Sequence, residues 1–492
     1  MKKPNILLVM TDQHRRDALG CYGNKIVETP HLDWLAAEGT IFSHAYSCTP
    51  SCIPARASLL TGMDPWNTGI LGSGRGQGRM GGGFTHTLPG ELARAGYHTQ
   101  GVGKMNFHPQ RSLNGFHHTI LDESDRVETP GFVSDYEEWF HRNKTGDYGI
   151  VDHGVGWNSW MSRPYHAPEF LHPVNWTVNE SIRFLEKRDP GVPFFLKTSF
   201  SRPHSPYDAL PYYYELYDRK ELPAPFVGEW AHVHDHPQDA AKPDAWRGKR
   251  SDEEIRRARV GYYALIHHID QQIGRLFMTL RKMGEWDNTV IIFTSDHGDM
   301  LGDHHLWRKT YAYEGAAHIP LIVRLPKSMR ISTAPIVDSP VCLQDIMPTL
   351  LEAAGADIPP TVDGSSLLPL IRDENASWRE FVHGEHCTCY SEEQEMQYLT
   401  DGLWKYIWFP RLGTEQLFRL SSDPGECTDL SVREEYASEL QRWRRRLIAI
   451  LESRGAGLTE GDRLVCQAGK SPHVSPKYKE RMDRWQSTAS NK

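Results

Sequence analysis

The sequence predicts an α/β fold built on a parallel sheet covered on both faces, followed by a smaller C-terminal unit. Three observations carry this. Apolar runs at residues 5–10, 193–200 and 289–294 are continuous rather than alternating, and each ends in a cluster of polar residues. That is the pattern of strands buried on both sides. A capped, amphipathic helix fills 251–284, between the second and third runs. Beyond about residue 376 the long runs give way to short strand-like segments and turns.

Composition narrows the function. The chain has 492 residues and 39% hydrophobic content, enough for a large core. A net charge of −8 leaves no broad basic footprint for nucleic acid. The basic residues near the end (Lys470, Lys477, Lys479, Arg481, Arg484) read as a solvated tail. Lys2 and Lys3 precede an apolar run too short for a signal peptide and without a cleavage site, so the run reads as a first strand. No stretch approaches membrane-spanning length. The expectation is a soluble cytoplasmic protein with no nucleic-acid or membrane partner, or a periplasmic or secreted one had a leader been removed. Eight cysteines are scattered without a disulfide framework. Cys387-Thr388-Cys389 has the wrong spacing for a zinc knuckle and reads as incidental.

Taken in order, the first run delivers Asp12 and Gln13 at its carboxyl end, where open α/β sheets place their sites. Asp12 alone also reads as a helix N-cap. Next comes Cys52-Ile53-Pro54-Ala55-Arg56, then Thr61-Gly62. Pro54 fixes its own φ and pushes Ile53 toward extended geometry, which puts Cys52 on a stiffened turn. Ala55 to Leu60 is helix-compatible, so the thiol lies near a helix N-terminus that favours an anion. Arg56 adds a fork suited to sulfate, phosphate or carboxylate. This is a nucleophile beside an oxyanion cradle; the bland alternative is a small buried thiol. The glycine-rich stretch 71–83 reads as a flexible loop at the site mouth, with Arg75 and Arg79 as its anion-contact candidates. Residues 88–95 look helical, and Gly103-Lys104 and Asn106 follow. Residues 110–185, rich in Trp, His and Gly, read either as pocket-building or as surface insertions. The second strand ends at Pro203-His204, placing His204 at the sheet edge. His232, His234 and His236 read as loop residues. The third strand delivers Asp296 and His297, a pair that suits a divalent metal together with Asp12. In the C-terminal unit, strands are expected near 398–400, 404–408 and 415–420 and a helix at 431–454. His383, Glu385 and His386 read equally as substrate contacts or packing.

Four segments resemble, in order and spacing, the type I sulfatases of the alkaline-phosphatase-like superfamily. They are Cys52-x-Pro54-x-Arg56 with Thr61-Gly62, Gly103-Lys104, Pro203-His204, and Lys309 before Tyr313-Glu314-Gly315. The resemblance spans roughly residues 4–430. It implies a large, mixed, mostly parallel central sheet sandwiched by helices, with a small C-terminal antiparallel subdomain packed by a helix. The expected division is a catalytic domain over 1–375 and a subdomain with tail over 376–492. It implies that a formylglycine-generating maturation enzyme converts Cys52 to formylglycine, whose hydrate is the nucleophile. It implies a divalent metal, calcium first with magnesium or manganese as alternatives, held at Asp12, Gln13, Cys52, Asp296 and His297. Arg56, Lys104 and Lys309 would stabilise the sulfuryl oxygens, and His204 or Lys309 would protonate the leaving oxygen. Gln13 stands where many relatives carry a second aspartate, and His297 where asparagine is frequent. Asn106 stands where a histidine is usual, with His108 two residues on; both, with His386, are expected substrate contacts. The activity implied is hydrolysis of a sulfate monoester, a carbohydrate sulfate first and aryl sulfates besides. A phosphonate monoester or phosphodiester hydrolase on the same scaffold is the alternative. A non-catalytic binding protein with an intact Cys52 thiol is the reading from another class.

Overall fold

The computed structural model describes residues 2–490 except 75, 125, 331–333, 373–375 and 468. Eight strands form the large sheet: β1 (Asn5–Asp12), β2 (Thr40–Phe42), β3 (His98–Gly103), β4 (His118–Leu121), β5 (Phe194–Pro203), β6 (Thr289–Ser295), β7 (Leu321–Arg324) and β8 (Ile336–Val337). Their order is β4-β3-β5-β1-β6-β7-β2-β8. Only β7 opposes its neighbours; the other pairings are parallel. Four further strands, β9 (Val382–His386), β10 (Met396–Thr400), β11 (Lys405–Phe409) and β12 (Thr414–Phe418), make an antiparallel meander.

Strand β1 is buried at every residue and sends alternate side chains to two separate cores. Ile6, Leu8 and Met10 face helices α2 (Cys52–Thr61), α3 (Leu88–Arg94) and α6 (Ile346–Ala354). Leu7 and Val9 face α1 (Pro30–Ala37), α4 (Pro173–Lys187) and α5 (Asp252–Lys282). Each such side chain removed from water is worth about 1.5–3 kcal/mol, so the sheet holds helices on both sides without charged help. Helix α5 starts at a reciprocal Ser251–Glu254 capping box and buries the stripe Ile266, Ile269, Ile273, Leu276 and Leu280.

Two expectations are corrected here. Ile53 is not extended: α2 begins at Cys52 itself, with Ser51 as N-cap. Pro54 occupies the third helical position, whose N–H has no intrahelical acceptor, so its missing donor costs nothing; the first helical bond runs from Ala55 N to Ser51 O at 3.1 Å. The C-terminal basic stretch is solvated at Lys470, Lys477, Lys479 and Arg484, which are exposed, but it is not a free tail and Arg481 is buried. Helix α8 (Pro476–Ser490) follows α7 (Ala437–Arg454) and docks on the large domain. Arg481 is buried against the ring of Phe84, 3.8 Å away, and the Trp485 ring packs on Gly82. The chain end therefore returns to the first domain. The expected boundary at 375/376 falls at residues 373–375, outside the described residues, and β9 opens the second sheet at Val382.

Candidate active site

The carboxyl ends of three adjacent central strands meet the N-terminus of α2. Strand pairing sets Asp12 beside Pro203 and Thr11 beside Ser295, so Asp12, His204 and Asp296 emerge along one sheet edge. Cys52, first residue of α2, points its Sγ at that edge, 3.3 Å from His297 Nε2 and 3.6 Å from Asp12 Oδ1. Asp12, Cys52, Asp296 and His297 are all buried, and one ligand atom from each lies within 4.8 Å of the others.

The donors in this cluster are arranged for a cation. The outer oxygens are tied off: Arg56 Nε holds Asp296 Oδ2 at 2.8 Å, and Arg56 Nη2 and Lys104 Nζ hold Asp12 Oδ2 at 3.2 and 2.7 Å. The inner Oδ1 atoms face His297 Nε2 at 3.7 and 3.6 Å. His297 Nδ1 lies 2.9 Å from the Gly298 carbonyl, which fixes its proton there and leaves the Nε2 lone pair for a metal. Asp12 Oδ1, Asp296 Oδ1, which also accepts from the backbone N–H groups of Gln13 and His297, and the imidazole nitrogen fit a divalent ion. Burial alone would raise the Asp12 carboxyl, but Lys104, His204, Arg56 and His297 hold it well below the usual range. Burial and Asp12 push the Cys52 thiol up; Lys309, Lys104 and His297 outweigh them and lower it.

Arg56 corrects an expectation. Rather than facing a bound anion, its guanidinium is wholly enclosed, with Nη1 donating to the Lys104 carbonyl at 2.6 Å and Ser199 Oγ at 2.9 Å. It positions the two carboxylates and does not line the pocket. Lys104 does, because Gly103 lets the chain turn against β5. Gly103 has φ +92°, and a Cβ there would sit 1.9 Å from the Ser199 carbonyl oxygen. Gly103→Ala is expected to lose about 1–3 kcal/mol of stability by urea unfolding. Turnover should fall with it, as Lys104 is displaced from Asp12.

A second chain of contacts closes the opposite side. His204 Nδ1 donates to the Ser205 carbonyl at 2.8 Å, so Nε2 accepts from the Lys309 ammonium, with which it is in direct contact. Burial and Lys309 hold this imidazole well below its usual range, hence neutral. Lys309 Nζ also reaches Gln13 Oε1 at 3.0 Å, while Gln13 Nε2 donates to Asp299 Oδ2 at 2.5 Å. Gln13 thus borders the cluster with its amide oxygen turned to Lys309. Asp299, which also accepts from Tyr207 Oη, was missed as a site residue; its place three residues after Asp296 was the available signal.

Above Cys52 opens a pocket of about 340 Å³, walled by Lys104, His204 and Lys309 on the chemistry side. Ser73, Gly74 and Gln77 of the glycine-rich loop reach it, as do Glu123, Ser124, Arg126, Trp157 and Asn158 of the 110–185 segment. Arg308, Cys389 and Tyr390 complete the wall. Cys389 is therefore not incidental; nothing local in the sequence signals its place, since β9 brings it across from the second sheet. Three expected substrate contacts are set back from the wall. Asn106 donates from its backbone N to Glu123 Oε1 at 3.0 Å and so orients a wall residue. His108 bonds Arg79 Nη1 at 3.0 Å, away from Cys52. His386 Nε2 lies 2.8 Å from Ser51 Oγ, bracing the N-cap of α2 from behind, and burial pushes its pKa down to about 3. Arg75 lies outside the described residues.

Comparison with known proteins agrees with this geometry. The Sulfatase family model matches residues 4–356, and the model for the N-sulphoglucosamine sulphohydrolase C-terminal region matches 302–453. An arylsulfatase of Clostridium perfringens is 42% identical over 477 residues, covering 94% of this chain and 97% of that one. An N-acetylglucosamine-6-O-sulfatase of Bacteroides thetaiotaomicron is 26% identical over 486 residues, covering 89% and 84%. The fold matches the phosphonate monoester hydrolase of Agrobacterium radiobacter with a TM-score of 0.74, at 24% identity over 93% of this chain and 98% of that one. With a family model spanning well over half of its length and a full-length relative at 42% identity, this chain belongs to the sulfatase family.

Proposed function

We propose that the protein hydrolyses sulfate monoesters of carbohydrates, and of aryl alcohols besides, through a formylglycine made from Cys52 and a bound divalent cation. The chain is a sulfuric ester hydrolase by family. The observation that carries the finer reading is the convergence of Cys52 with Asp12, Asp296 and His297 at the floor of a pocket walled by two lysines. A cysteine converted to formylglycine supplies a hydrated aldehyde, whose one hydroxyl attacks sulfur and whose other later releases sulfate. Asp12, Asp296 and His297 would hold the metal, with Gln13 at its border turned to Lys309; when bound it would supply charge to polarise the sulfuryl group. The carboxylate oxygens are hard donors suited to calcium, with magnesium and manganese, which also take oxygen ligands, as alternatives.

The remaining work falls to residues of the chain. Lys104 and Lys309 face the pocket with ammonium groups placed to bind the sulfuryl oxygens. Arg56 and Lys104 keep the Asp12 and Asp296 oxygens oriented. Neutral His204 accepts at Nε2 from Lys309, so the proton available to the leaving alkoxide sits on Lys309 and His204 aims it.

Peptide mass of the Cys52 segment, with paired sulfate- and phosphonate-ester assays, tests the reading. Turnover should track the aldehyde fraction and favour sulfate; aldehyde-free protein with full activity would overturn the mechanism. The Asp12-Gln13 pair and the phosphonate hydrolase neighbour favour phosphonate esters as the second reading, which a phosphonate preference would establish. Chelation is expected to abolish turnover and, separately, to lower the melting temperature, because buried carboxylates lose their cation. Readdition of calcium, magnesium and manganese in turn should restore the melting temperature most for the native ion. An unchanged melting curve would count against a buried site.

A further inference from the structure

Arg308 is a cation without a counterion on the wall of the substrate pocket. Its neighbours in the pocket are neutralised: Lys104 by Asp12 at 2.7 Å and Arg126 by Glu128. Among the described residues no carboxylate pairs with Arg308. Its one side-chain hydrogen bond runs from Nη1 to the Asp244 carbonyl at 3.2 Å, and its buried Nε has no partner.

The side chain is nevertheless held in place. Arg308 has φ +70° and Thr310 φ +83°, conformations costly for residues with a Cβ, so the two sides of Lys309 are strained. The backbone is pinned by Arg308 N to Asp299 Oδ1 at 3.1 Å and by Met300 N to Arg308 O at 2.7 Å. The guanidinium lies 4.4 Å from the centre of the Tyr390 ring, which itself stacks on Trp246. A cation stiffened against an aromatic face is preorganised for a planar or tetrahedral oxyanion.

The other polar atoms of the wall make the same demand. Ser73 Oγ, Ser124 Oγ and Trp157 Nε1, on residues of the same wall, are buried and, like Arg308 Nε, have no hydrogen-bond partner. All four can donate, and buried donors left unmet are costly. With Lys309 assigned to the scissile sulfate, a second, separate cation implies a second anion on the same substrate.

We infer that Arg308, backed by Tyr390, forms a subsite for a second oxyanion, a carboxylate or another sulfate, carried by the alcohol portion of the substrate. This rests on the sulfatase reading and narrows it to doubly anionic esters. Arg308 sets specificity and takes no part in sulfur transfer.

The test uses the mature enzyme with 4-(sulfooxy)benzoate and its methyl ester, which share a scissile group and shape but differ in one charge. The acid should have the lower KM by about tenfold or more, the range of a charge-assisted hydrogen bond. Arg308→Gln should raise the KM of the acid about ten- to hundredfold with little change in kcat. The ratio of acid to ester specificity should collapse toward one, and Arg308→Lys should restore part of it. Hydroquinone bis-sulfate in place of the benzoate distinguishes a sulfate from a carboxylate preference. Equal KM values for acid and methyl ester in the unaltered enzyme would overturn the inference even were the variant not to fold. So would an equal loss on both esters in Arg308→Gln. Hydrolysis of neither ester by aldehyde-bearing protein would overturn the sulfatase reading and this inference with it.

Discussion

Cys52→Ala is expected to cut sulfate-ester turnover by at least about a thousandfold while leaving the fold intact. The two effects separate because Cys52 contributes little packing but sits at the centre of the chemistry. Its side chain meets Asp12 Oδ1 and His297 Nε2. Helix α2 keeps its N-cap at Ser51, its C-cap at Gly62 and its buried Ile53, Leu59 and Leu60. Truncating one thiol should therefore cost no more than about 1 kcal/mol, a shift of a few degrees at most for a chain of this size. Thermal melting, divalent-ion binding and turnover measured on one preparation check all three. Retained melting and ion binding with lost turnover is the expected result. Residual activity of several per cent would mean that position 52 is not the nucleophile. The same variant expressed with the maturation enzyme gives the blank against which aldehyde-dependent turnover is read.

Strand ends were the legible part of this chain. Asp12 and Asp296 follow continuous apolar runs that have to be buried on both faces, and parallel pairing then brings their carboxyl ends together. The capping box at Ser251 and the stripe from Ile266 to Leu280 likewise specify α5 without tertiary context. Arg56 shows where such reasoning stops. It lies one turn after Cys52, on the same side of α2, and that spacing makes it look like a substrate contact. Which depth of the site that side reaches depends on how far α2 slides along the sheet edge, and the structure sets Arg56 below Cys52, among the carboxylates. The pocket wall was legible only as segments, the loop 71–83 and the stretch 110–185, and not as individual residues. Trp157, Arg308 and Tyr390 come from segments far apart in the chain that carry no periodicity, and only the closed fold makes them neighbours. The C-terminal helix, by contrast, carried a signal. Tyr478, Arg481 and Trp485 fall at helical spacing of three and four, and they are the residues that pack on Gly78, Phe84 and Gly82.

Arg56→Ala is expected to be among the most damaging substitutions, for stability as well as for turnover. Arg56 compensates two buried carboxylates at once, and breaking a buried pair from one side costs about 3–5 kcal/mol. The damage should fall unevenly. Asp12 keeps Lys104 at 2.7 Å, but Asp296 Oδ2 has Arg56 as its charged partner, and Asp296 Oδ1 keeps the backbone N–H groups of Gln13 and His297 and, at 3.6 Å, the His297 imidazole. Removing that carboxylate's charge as well, in Arg56→Ala with Asp296→Asn, should recover at least about 2 kcal/mol relative to the sum of the single changes. Turnover should remain lost in both. A divalent ion bound by the inner oxygens supplies the positive charge that Arg56 no longer does. The melting deficit of Arg56→Ala should therefore shrink at saturating metal by more than that of Gly103→Ala, whose clash with the Ser199 carbonyl metal does not relieve. Denaturant unfolding of the single and double variants, each with and without metal, distinguishes these terms. Strict additivity in the absence of metal would mean that Arg56 stabilises the site by packing rather than by charge. An Arg56→Ala deficit that metal leaves unchanged would separate the carboxylate pair from the metal, and with it the central assignment of Asp12 and Asp296.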